Sequence, residues 1–351
     1  MKSIYDYTLN ELENELLTIG EKKYRAKQIY DWLYVKKVNS FNDMTNLSKD
    51  SMEKISNHFI VDDIEILKKE VDKDVMKYLF KLHDNETIEA VLMFHDYGNS
   101  ICVSSQIGCN MGCKFCNSGK LKKIRNLEAS EIILQILKVE EDAKLKISHV
   151  VVMGIGEPFD NYDNVCKMIE IINNPFGLSI GSRHITVSTC GIVPKIIEFS
   201  NFPYQVNLAI SLHAPNDKLR SSLMPINNAY KINELMDAIK KYISKTNRRV
   251  TFEYILLDNI NDTKECALEL ANLLRGLNAY VNLIPYNSTG DLTYNRSSDL
   301  KIKSFYDILI KEGIGVTIRR EFGSKISAAC GQLRANNREW FYEILLSDWY
   351  R

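Results

Sequence analysis

Three cysteines in a short segment are the residues whose type and spacing most directly indicate chemistry. Cys109, Cys113 and Cys116 form a C-x3-C-x2-C pattern just after a hydrophobic segment. Such close spacing lets three thiolates converge on one metal centre. Iron–sulfur clusters usually take four cysteine ligands, so three leave one iron open for a substrate or cofactor. The alternative is a structural zinc site with Cys102 as its fourth ligand.

Polar or small residues follow four other hydrophobic segments, each of which reads as a β-strand. Alone, each is more often a turn glycine or a satisfied structural hydrogen bond. Together they indicate a ligand site, because the carboxyl ends of parallel strands meet on one face of a barrel. The segments VVVMGIGEP, TVSTCG, AISLHAP and NLIPYN supply Gly154, Gly156, Glu157, Ser188, Ser211, His213 and Asn287.

Cys330 is a further candidate, because the small residues beside it in SAACGQ leave a thiol accessible to a substrate. The alternative for a lone cysteine is a buried packing role.

Strands alternating with helices must position these groups, which predicts an α/β fold with a parallel sheet curled into a full or partial barrel. Residues 1–95 read as a separate, mainly helical unit that ends in a hairpin, 75–82 with 87–93. The barrel is expected over 96–337, and a helical tail, more suited to packing than to base binding, over 338–351. The predicted barrel strands are 101–105, 148–153, 184–188, 205–211, 250–256, 280–284 and 315–318, with helices such as 131–141 and 232–243 between them.

Composition restricts the class of protein. Forty-five basic residues balance forty-five acidic ones, so the weak overall field argues against a non-specific nucleic-acid binder, and any RNA affinity must come from local basic patches. No secretory signal is visible, and no segment approaches the roughly 18 apolar residues of a spanning helix. We therefore expect a cytoplasmic protein without membrane contact, in which the eight cysteines are thiols, metal ligands or redox groups.

Long ordered motifs resemble one family across nearly the whole chain. KKYRAKQIYDWLY, CVSSQIGC, GIGEPFDNYDNV, QVNLAISLHAPND, VNLIPYN and IRREFG…AACGQLR are similar to the RlmN/Cfr family of radical S-adenosylmethionine (SAM) adenine methyltransferases, which modify 23S rRNA and tRNA. GEPFDNYDNV and IRRE resemble the RlmN group, which methylates carbon 2 of adenine. The alternative is the Cfr group, which methylates carbon 8 and confers antibiotic resistance.

The resemblance implies a radical SAM barrel, a 4Fe–4S cluster on Cys109, Cys113 and Cys116, and two SAM molecules per turnover. Cys330 would carry the methyl group, Cys102 would resolve the protein–RNA crosslink through a transient disulfide, and Glu89 would accept a proton. An adenine ring carbon is too weakly nucleophilic to attack SAM directly, so a one-electron cofactor is needed. The residues implied to line the SAM site are Gly156, Glu157, Ser188, Ser211, Leu212, His213 and Asn287.

Partners also follow from the resemblance: 23S rRNA and tRNA as substrates, an electron donor such as flavodoxin, and a monomeric enzyme. Basic residues near the cysteine loop and in the N-terminal unit are candidates for RNA contact, although each charge run alone is more often a solvated face. These residues are Lys114, Lys120, Lys122, Lys123, Arg125, Lys22, Lys23, Arg25 and Lys27. Two other classes stay open: a radical SAM enzyme acting on a protein or small molecule, and a zinc-stabilised RNA-binding protein without catalysis.

Overall fold

The N-terminal part of the chain is mainly helical in the computed structural model, which describes residues 1–287, 294–319 and 332. Thr8 and Glu11 form a capping box that begins the first helix, where Leu9, Leu12 and Leu16 fall on one buried face. The elements of this part are β1 (Lys2–Ser3), α1 (Leu9–Thr18), α2 (Arg25–Tyr30) with a π-helical turn (Asp31–Val35), α3 (Lys49–Ser56) and β2 (Phe59–Ile60), with 3₁₀ turns at Ile4–Asp6 and Phe41–Asp43.

A ten-stranded sheet forms the centre of the molecule. Its order is β14-β13-β12-β11-β10-β9-β6-β5-β4-β3. Neighbours from β3 to β6 are antiparallel, whereas β6 and all strands from β9 to β14 are parallel. The strands are β3 (Glu65–Asp72), β4 (Val75–Lys81), β5 (Thr87–His95), β6 (Gly98–Val103), β9 (His149–Val152), β10 (Ile185–Thr189), β11 (Asn207–Ser211), β12 (Val250–Leu256), β13 (Ala279–Pro285) and β14 (Val316–Ile318). A separate short pair, β7 (Gln106–Ile107) and β8 (Arg125–Asn126), flanks the cysteine loop.

Helices connect the parallel strands and cover the outer face of the sheet. Val150, Val187, Ile210, Phe252 and Leu283 are fully buried in one core that also contains helix residues. Polar residues such as Ser211 and Glu253 alternate with some of these and line a cavity. The helices are α4 (Ala129–Ala143), α5 (Tyr162–Asn173), α6 (Val193–Phe199), α7 (Asp217–Leu223), α8 (Ile232–Thr246), α9 (Lys264–Leu274) and α10 (Asp299–Lys311), with 3₁₀ turns at Ser118–Lys120, Pro158–Asn161, Ser182–His184 and Pro225–Asn228.

The predicted α/β fold, a partial barrel preceded by a small helical region, is confirmed. The sheet is open, because within the described residues its end strands β3 and β14 each pair with one neighbour only. The hairpin β4–β5 forms with Asn85 in its turn at positive φ, and β5 continues the sheet by pairing with β6. The sheet therefore runs across residue 95, and the division into domains at that point stays a prediction. The expected tail 338–351 lies outside the described residues.

Among the described residues, no helix combines the length and apolarity that crossing a membrane requires.

Candidate active site at the carboxyl ends of the strands

A cavity of about 150 Å³ lies where the parallel strands end. Its wall includes all three cysteines of the C-x3-C-x2-C segment and most of the polar residues predicted from the strand ends. Leu212 is fully buried and does not line the cavity, and Asn287, the last residue described before a gap, does not line it either. The predicted residues that do line it are Cys109, Cys113, Cys116, Gly154, Gly156, Glu157, Ser188, Ser211 and His213.

The cysteine loop is held in shape by backbone contacts to two neighbouring segments. Cys109 donates its backbone N–H to Leu121 O at 2.9 Å, and Lys114 donates to Leu223 O, in α7, at 3.0 Å. Gly108 has φ +72°, and a Cβ there would lie 2.3 Å from Lys122 O, so glycine is required. The loop therefore presents its cysteines from a fixed backbone.

Burial shapes the chemistry of these thiols. It raises the pKa of Cys109 to about 12 and raises that of Cys113 well above its ordinary value, with the neighbouring cysteines adding to both shifts. Cys109 is buried, and Cys113 and Cys116 are half-buried, so three adjacent thiolates here would repel one another unless a cation compensated them. A bound iron centre supplies the positive charge that keeps such thiols deprotonated.

The donor set fits a cluster better than a single ion. Within the described residues, no three His, Cys, Asp or Glu side chains are arranged to hold one metal ion. In a 4Fe–4S cluster the cysteines bind different irons and surround the cluster instead of meeting at one atom. Cys102, the fourth ligand considered for zinc, packs in a different group with Val91, Met93 and Ile155. The position of Cys102 removes the fourth thiolate that the zinc interpretation required, and three loop cysteines are the ligand set of a cluster with one open iron.

Glu157 is a fully buried carboxylate on the cavity wall. Its Oε1 accepts from Phe159 N at 3.0 Å, and its Oε2 accepts from Cys190 N at 2.8 Å. Burial raises the pKa of Glu157, and these hydrogen bonds partly oppose the shift. Gly156, at φ +116°, brings the backbone so close to the β7 segment that a Cβ would lie 2.7 Å from Ser105 Oγ. The carboxylate is therefore anchored by main-chain donors at the cavity.

His213 presents one defined tautomer to the cavity. Its Nδ1 accepts the backbone N–H of Ile255 at 3.0 Å, so the ring proton resides on Nε2. Burial, assisted by the charge of Arg220, lowers the pKa of His213 to about 3. The ring packs edge-on against Phe115, with centroids 4.9 Å apart. His213 is therefore a neutral hydrogen-bond donor.

Glu89 and Cys102 lie on adjacent antiparallel strands. Cys102 pairs in register with Val91, two residues from Glu89, so both side chains point to the same face. The Glu89 carboxylate is buried, and its Oε1 lies 2.9 Å from Lys77 Nζ. Cys330 lies outside the described residues, as does its implied disulfide with Cys102. Gln332, two residues after Cys330 in the sequence, is buried. Its backbone oxygen accepts from Asn117 Nδ2 at 3.5 Å, and Asn117 directly follows Cys116, the last cysteine of the loop.

Two buried charged residues near the cavity were not predicted from the sequence. Glu253 lines the cavity, has its pKa raised by burial, and accepts from Asn282 Nδ2 at 2.8 Å. A signal existed, since it is the only charged residue in the strand VTFEYIL. Arg220 lies behind the wall in α7 and is completely buried. Nothing in NDKLRSSL distinguishes it from an exposed arginine.

Three of the basic residues expected to contact RNA form ion pairs with acidic side chains of the protein. Arg125 forms a bidentate pair with Glu131, at 2.7 Å for each contact, and also bonds Asp84. Lys123 pairs with Asp160 at 2.7 Å, and Arg25 pairs with Glu21. The exposed side chains of this set are Lys114, Lys120, Lys122, Lys22, Lys23 and Lys27, of which Lys27 lies over the ring of Phe176.

Comparisons with known proteins agree with this arrangement. The radical SAM superfamily model matches residues 103–273, and the ribosomal RNA large subunit methyltransferase N-terminal domain matches residues 2–61. The chain is 54% identical over 341 residues to a probable dual-specificity RNA methyltransferase RlmN of Spiroplasma citri, covering 96% of this chain and 98% of that protein. The corresponding protein of Bacillus subtilis is 52% identical over 343 residues, covering 96% and 94%. The crystal structure of a radical SAM methyltransferase from Sphaerobacter thermophilus superposes with a TM-score of 0.91 at 42% identity, covering 96% and 100% of the two chains.

These matches confirm the predicted family and, with it, the radical SAM enzyme class and its cofactors, a 4Fe–4S cluster and SAM. They do not favour the Cfr-type alternative or a zinc-stabilised protein without catalysis. The chain belongs to the RlmN family of radical SAM methyltransferases.

Proposed function

We propose that this enzyme methylates carbon 2 of one adenosine in the peptidyl-transferase centre of 23S rRNA, and of an adenosine in the anticodon loop of certain tRNAs. The observation that carries the proposal is that the three loop cysteines line one cavity together with Glu157. The chain that forms this cavity is about half identical, over nearly its full length, to probable dual-specificity RNA methyltransferases. The names of these relatives favour carbon 2 over the carbon-8 activity of the Cfr group.

The cavity residues divide between cluster and SAM. Cys109, Cys113 and Cys116 hold the cluster, which, when bound, supplies the electron that cleaves SAM to methionine and a 5′-deoxyadenosyl radical. The carboxylate of Glu157 accepts from the SAM ammonium group, and His213 donates from Nε2 to a ligand oxygen or nitrogen. The other residues proposed for SAM are Gly156, Ser188, Ser211, Leu212 and Asn287. Neither Leu212 nor Asn287 lines the cavity. Leu212 would act by holding the end of β11, since its backbone N–H donates to Glu253 O and its carbonyl accepts from Arg220 Nε.

A second group of residues carries the methyl group. The Cys330 thiolate would take a methyl group from a first SAM, which leaves as S-adenosylhomocysteine. The 5′-deoxyadenosyl radical from a second SAM would remove a hydrogen atom from this S-methyl group, the methylene radical would add to carbon 2 of adenine, and the adduct would lose one electron, which the oxidised cluster can accept. The Cys102 thiolate would then attack the Cys330 sulfur, so that a disulfide forms while the bond from that sulfur to the transferred carbon breaks, and the methylene carbon takes up a proton as the methylated RNA leaves. Glu89 accepts the proton that leaves the adenine ring. Its position supports this role, because the ion pair with Lys77 holds the buried carboxylate on the face of the sheet that also carries Cys102. Gln332, two residues after Cys330 in the sequence, accepts from Asn117, which follows the last cysteine of the cluster loop.

RNA contact is proposed for the exposed lysines of the cluster loop, Lys114, Lys120 and Lys122, and for those of the N-terminal region. The target base must leave its stack to reach the cavity, and phosphate contacts would hold the surrounding backbone. We also propose that the enzyme is a cytoplasmic monomer that receives electrons from a donor such as flavodoxin.

The test is anaerobic incubation of the iron-reconstituted enzyme with SAM, a reductant and either a 23S rRNA peptidyl-transferase fragment or a tRNA anticodon arm. Nucleosides are then analysed by mass spectrometry. We expect 2-methyladenosine, absent with Cys330→Ala and retained with the control Cys266→Ala, whose cysteine lies in α9 away from the cavity. Formation of 8-methyladenosine would instead place the enzyme in the carbon-8 group. An intact cluster that cleaves SAM but methylates neither RNA would refute the proposed substrate.

A further inference from the structure

Arg220 carries a buried positive charge whose hydrogen-bond partners are neutral. Its side chain is completely buried. Its Nε donates to Leu212 O at 3.2 Å, Nη1 donates to Asn227 Oδ1 at 3.0 Å, and Nη2 donates to Cys190 O at 2.6 Å and Ser211 O at 3.3 Å. Within the described residues, these acceptors are all carbonyl or amide oxygens. A buried cation is costly unless a nearby negative charge compensates it.

The guanidinium lies directly behind the cluster cavity. Two of its acceptor residues, Cys190 and Ser211, line that cavity together with the loop cysteines. The helix that carries Arg220 is also bonded to the cysteine loop, through Lys114 N and Leu223 O. The position of Arg220 is thus fixed by contacts to both the cavity wall and the loop.

The surrounding groups differ in how closely they can compensate this charge. Burial lowers the pKa of Arg220, whereas Cys190, Cys113 and Asp217 raise it. Asp217 is exposed and reaches Arg220 only through Asn227, whose Nδ2 donates to Asp217 Oδ1 at 2.9 Å. On the cavity side, the Glu157 carboxylate is separated from the guanidinium by the backbone of Cys190, which bonds both groups. The buried negative charge therefore lies on the cavity side.

We propose that Arg220 acts as a fixed charge that raises the reduction potential of the iron–sulfur cluster held by Cys109, Cys113 and Cys116. This inference rests on the cluster assignment above. A 4Fe–4S cluster with three thiolate ligands is anionic, and one-electron reduction adds further negative charge. A buried cation stabilises the reduced form more than the oxidised form. Arg220 touches neither SAM nor RNA in this scheme, so it is a tuning residue and not a catalytic one.

The test compares three variants of the reconstituted full-length enzyme in an anaerobic potentiometric titration followed by electron paramagnetic resonance. Arg220→Gln removes the charge and keeps hydrogen-bonding capacity. Arg220→Lys keeps the charge and loses the planar fork. Lys218→Gln is the matched control, because Lys218 lies on the same helix but is exposed to water.

For Arg220→Gln we expect the ratio of oxidised to reduced cluster at a fixed potential to rise about tenfold. That is the size expected for a unit charge on the order of 10 Å away in a medium of effective dielectric constant near 20. A tenfold change in a one-electron couple corresponds to a midpoint about 59 mV lower. For Arg220→Lys and for Lys218→Gln we expect a ratio of oxidised to reduced cluster within about threefold of that of the parent enzyme, because both variants retain the buried charge.

The midpoint potentials of the variants either support or overturn a role of the Arg220 charge. An unchanged midpoint in Arg220→Gln with full iron and sulfide content overturns the inference and leaves the proposed function intact. A lysine variant that shifts as far as the glutamine variant shows that Arg220 acts by holding the strand ends, which also overturns the inference. If Arg220→Gln binds no cluster, Arg220→Met takes its place as the variant without the charge. A tenfold rise in its ratio of oxidised to reduced cluster supports the charge role, and a ratio within threefold of the parent enzyme refutes it. A parent enzyme that binds no iron–sulfur cluster would refute the proposed function itself.

Discussion

Replacing His213 by asparagine should flatten the dependence of stability on pH. His213 has φ +57°, a left-handed conformation that histidine and asparagine adopt more readily than most residues, and its ring is buried. An asparagine Oδ1 could accept the backbone N–H of Ile255 that Nδ1 now accepts. The variant therefore removes a titrating group with little change to the backbone.

The sign and size of the effect follow from the pKa values. The folded protein holds the pKa of His213 at about 3, whereas an unfolded histidine has a pKa near 6.5. Below about pH 6.5 the unfolded chain binds a proton that the native ring does not, so stability falls as the pH decreases towards 3. At about 1.4 kcal/mol per pH unit, roughly 1.5 units from pH 6.5 down to pH 5 cost about 2 kcal/mol.

The assay is urea unfolding of parent and variant at pH 7.5, 6.0 and 5.0, followed by circular dichroism. Asparagine packs less well against Phe115, so the variant should be less stable at pH 7.5. The difference in free energy of unfolding between parent and variant should be smaller by about 2 kcal/mol at pH 5.0, because only the parent contains the buried histidine that destabilises the fold as the pH falls. Glu157 and Glu253, whose raised pKa values have the opposite effect, are common to both proteins and cancel in the difference. A difference between the proteins that is independent of pH would refute the buried neutral histidine.

Two further pairs of substitutions test how the backbone at Gly156 and the side chain of Glu89 are held. Gly156→Ala should lower the free energy of unfolding by about 3 kcal/mol, because it combines φ +116° with a Cβ 2.7 Å from Ser105 Oγ. Gly181→Ala, whose Cβ would meet nothing within 4 Å, should leave the melting temperature unchanged or slightly raised; equal effects of the two would contradict the packing argument. Lys77→Met should cost about 3 kcal/mol in urea unfolding, since it removes an ammonium group that pairs with the buried Glu89 carboxylate, whereas Lys77→Arg should retain most of that stability. Matching losses in the methionine and arginine variants would show that the charge is not what matters.

The strand ends could be predicted from the sequence because hydrophobic runs and parallel topology determine them together. The strand predicted over 250–256 has the same bounds as β12. The strands predicted over 148–153 and 184–188 differ from β9 and β10 by one residue at each end. Once the strands were assigned, the rule that parallel strands end on one face brought the cysteines, Glu157, Ser188, Ser211 and His213 to one place. The cavity confirms that convergence.

The missed features depend on contacts that no local pattern encodes. Strand β3 reads EILKKEVD and resembles a solvated segment, because it is the edge of the sheet and none of its residues is buried. The pairing of Lys77 with Glu89 requires the register of β4 against β5, which the sequence does not specify. Arg220 looks like a surface arginine until the ends of β10 and β11 are known to face it.

Hydrogen bonds within the protein hold the strand ends that form the wall of the cavity. Leu212 N and His213 N both donate to Glu253 O, at 3.1 and 3.3 Å, which ties the end of β11 to β12. Asn261 Nδ2 donates to His213 O and to Ile255 O, at 2.8 and 2.6 Å, and so fixes the same two strands from behind. Backbone groups engaged in this way cannot turn towards a ligand, which leaves side chains such as His213 to make the contacts. A site whose donors are fixed in advance loses little freedom when SAM binds, so the affinity for SAM depends on residues behind the wall as well as on those that touch it.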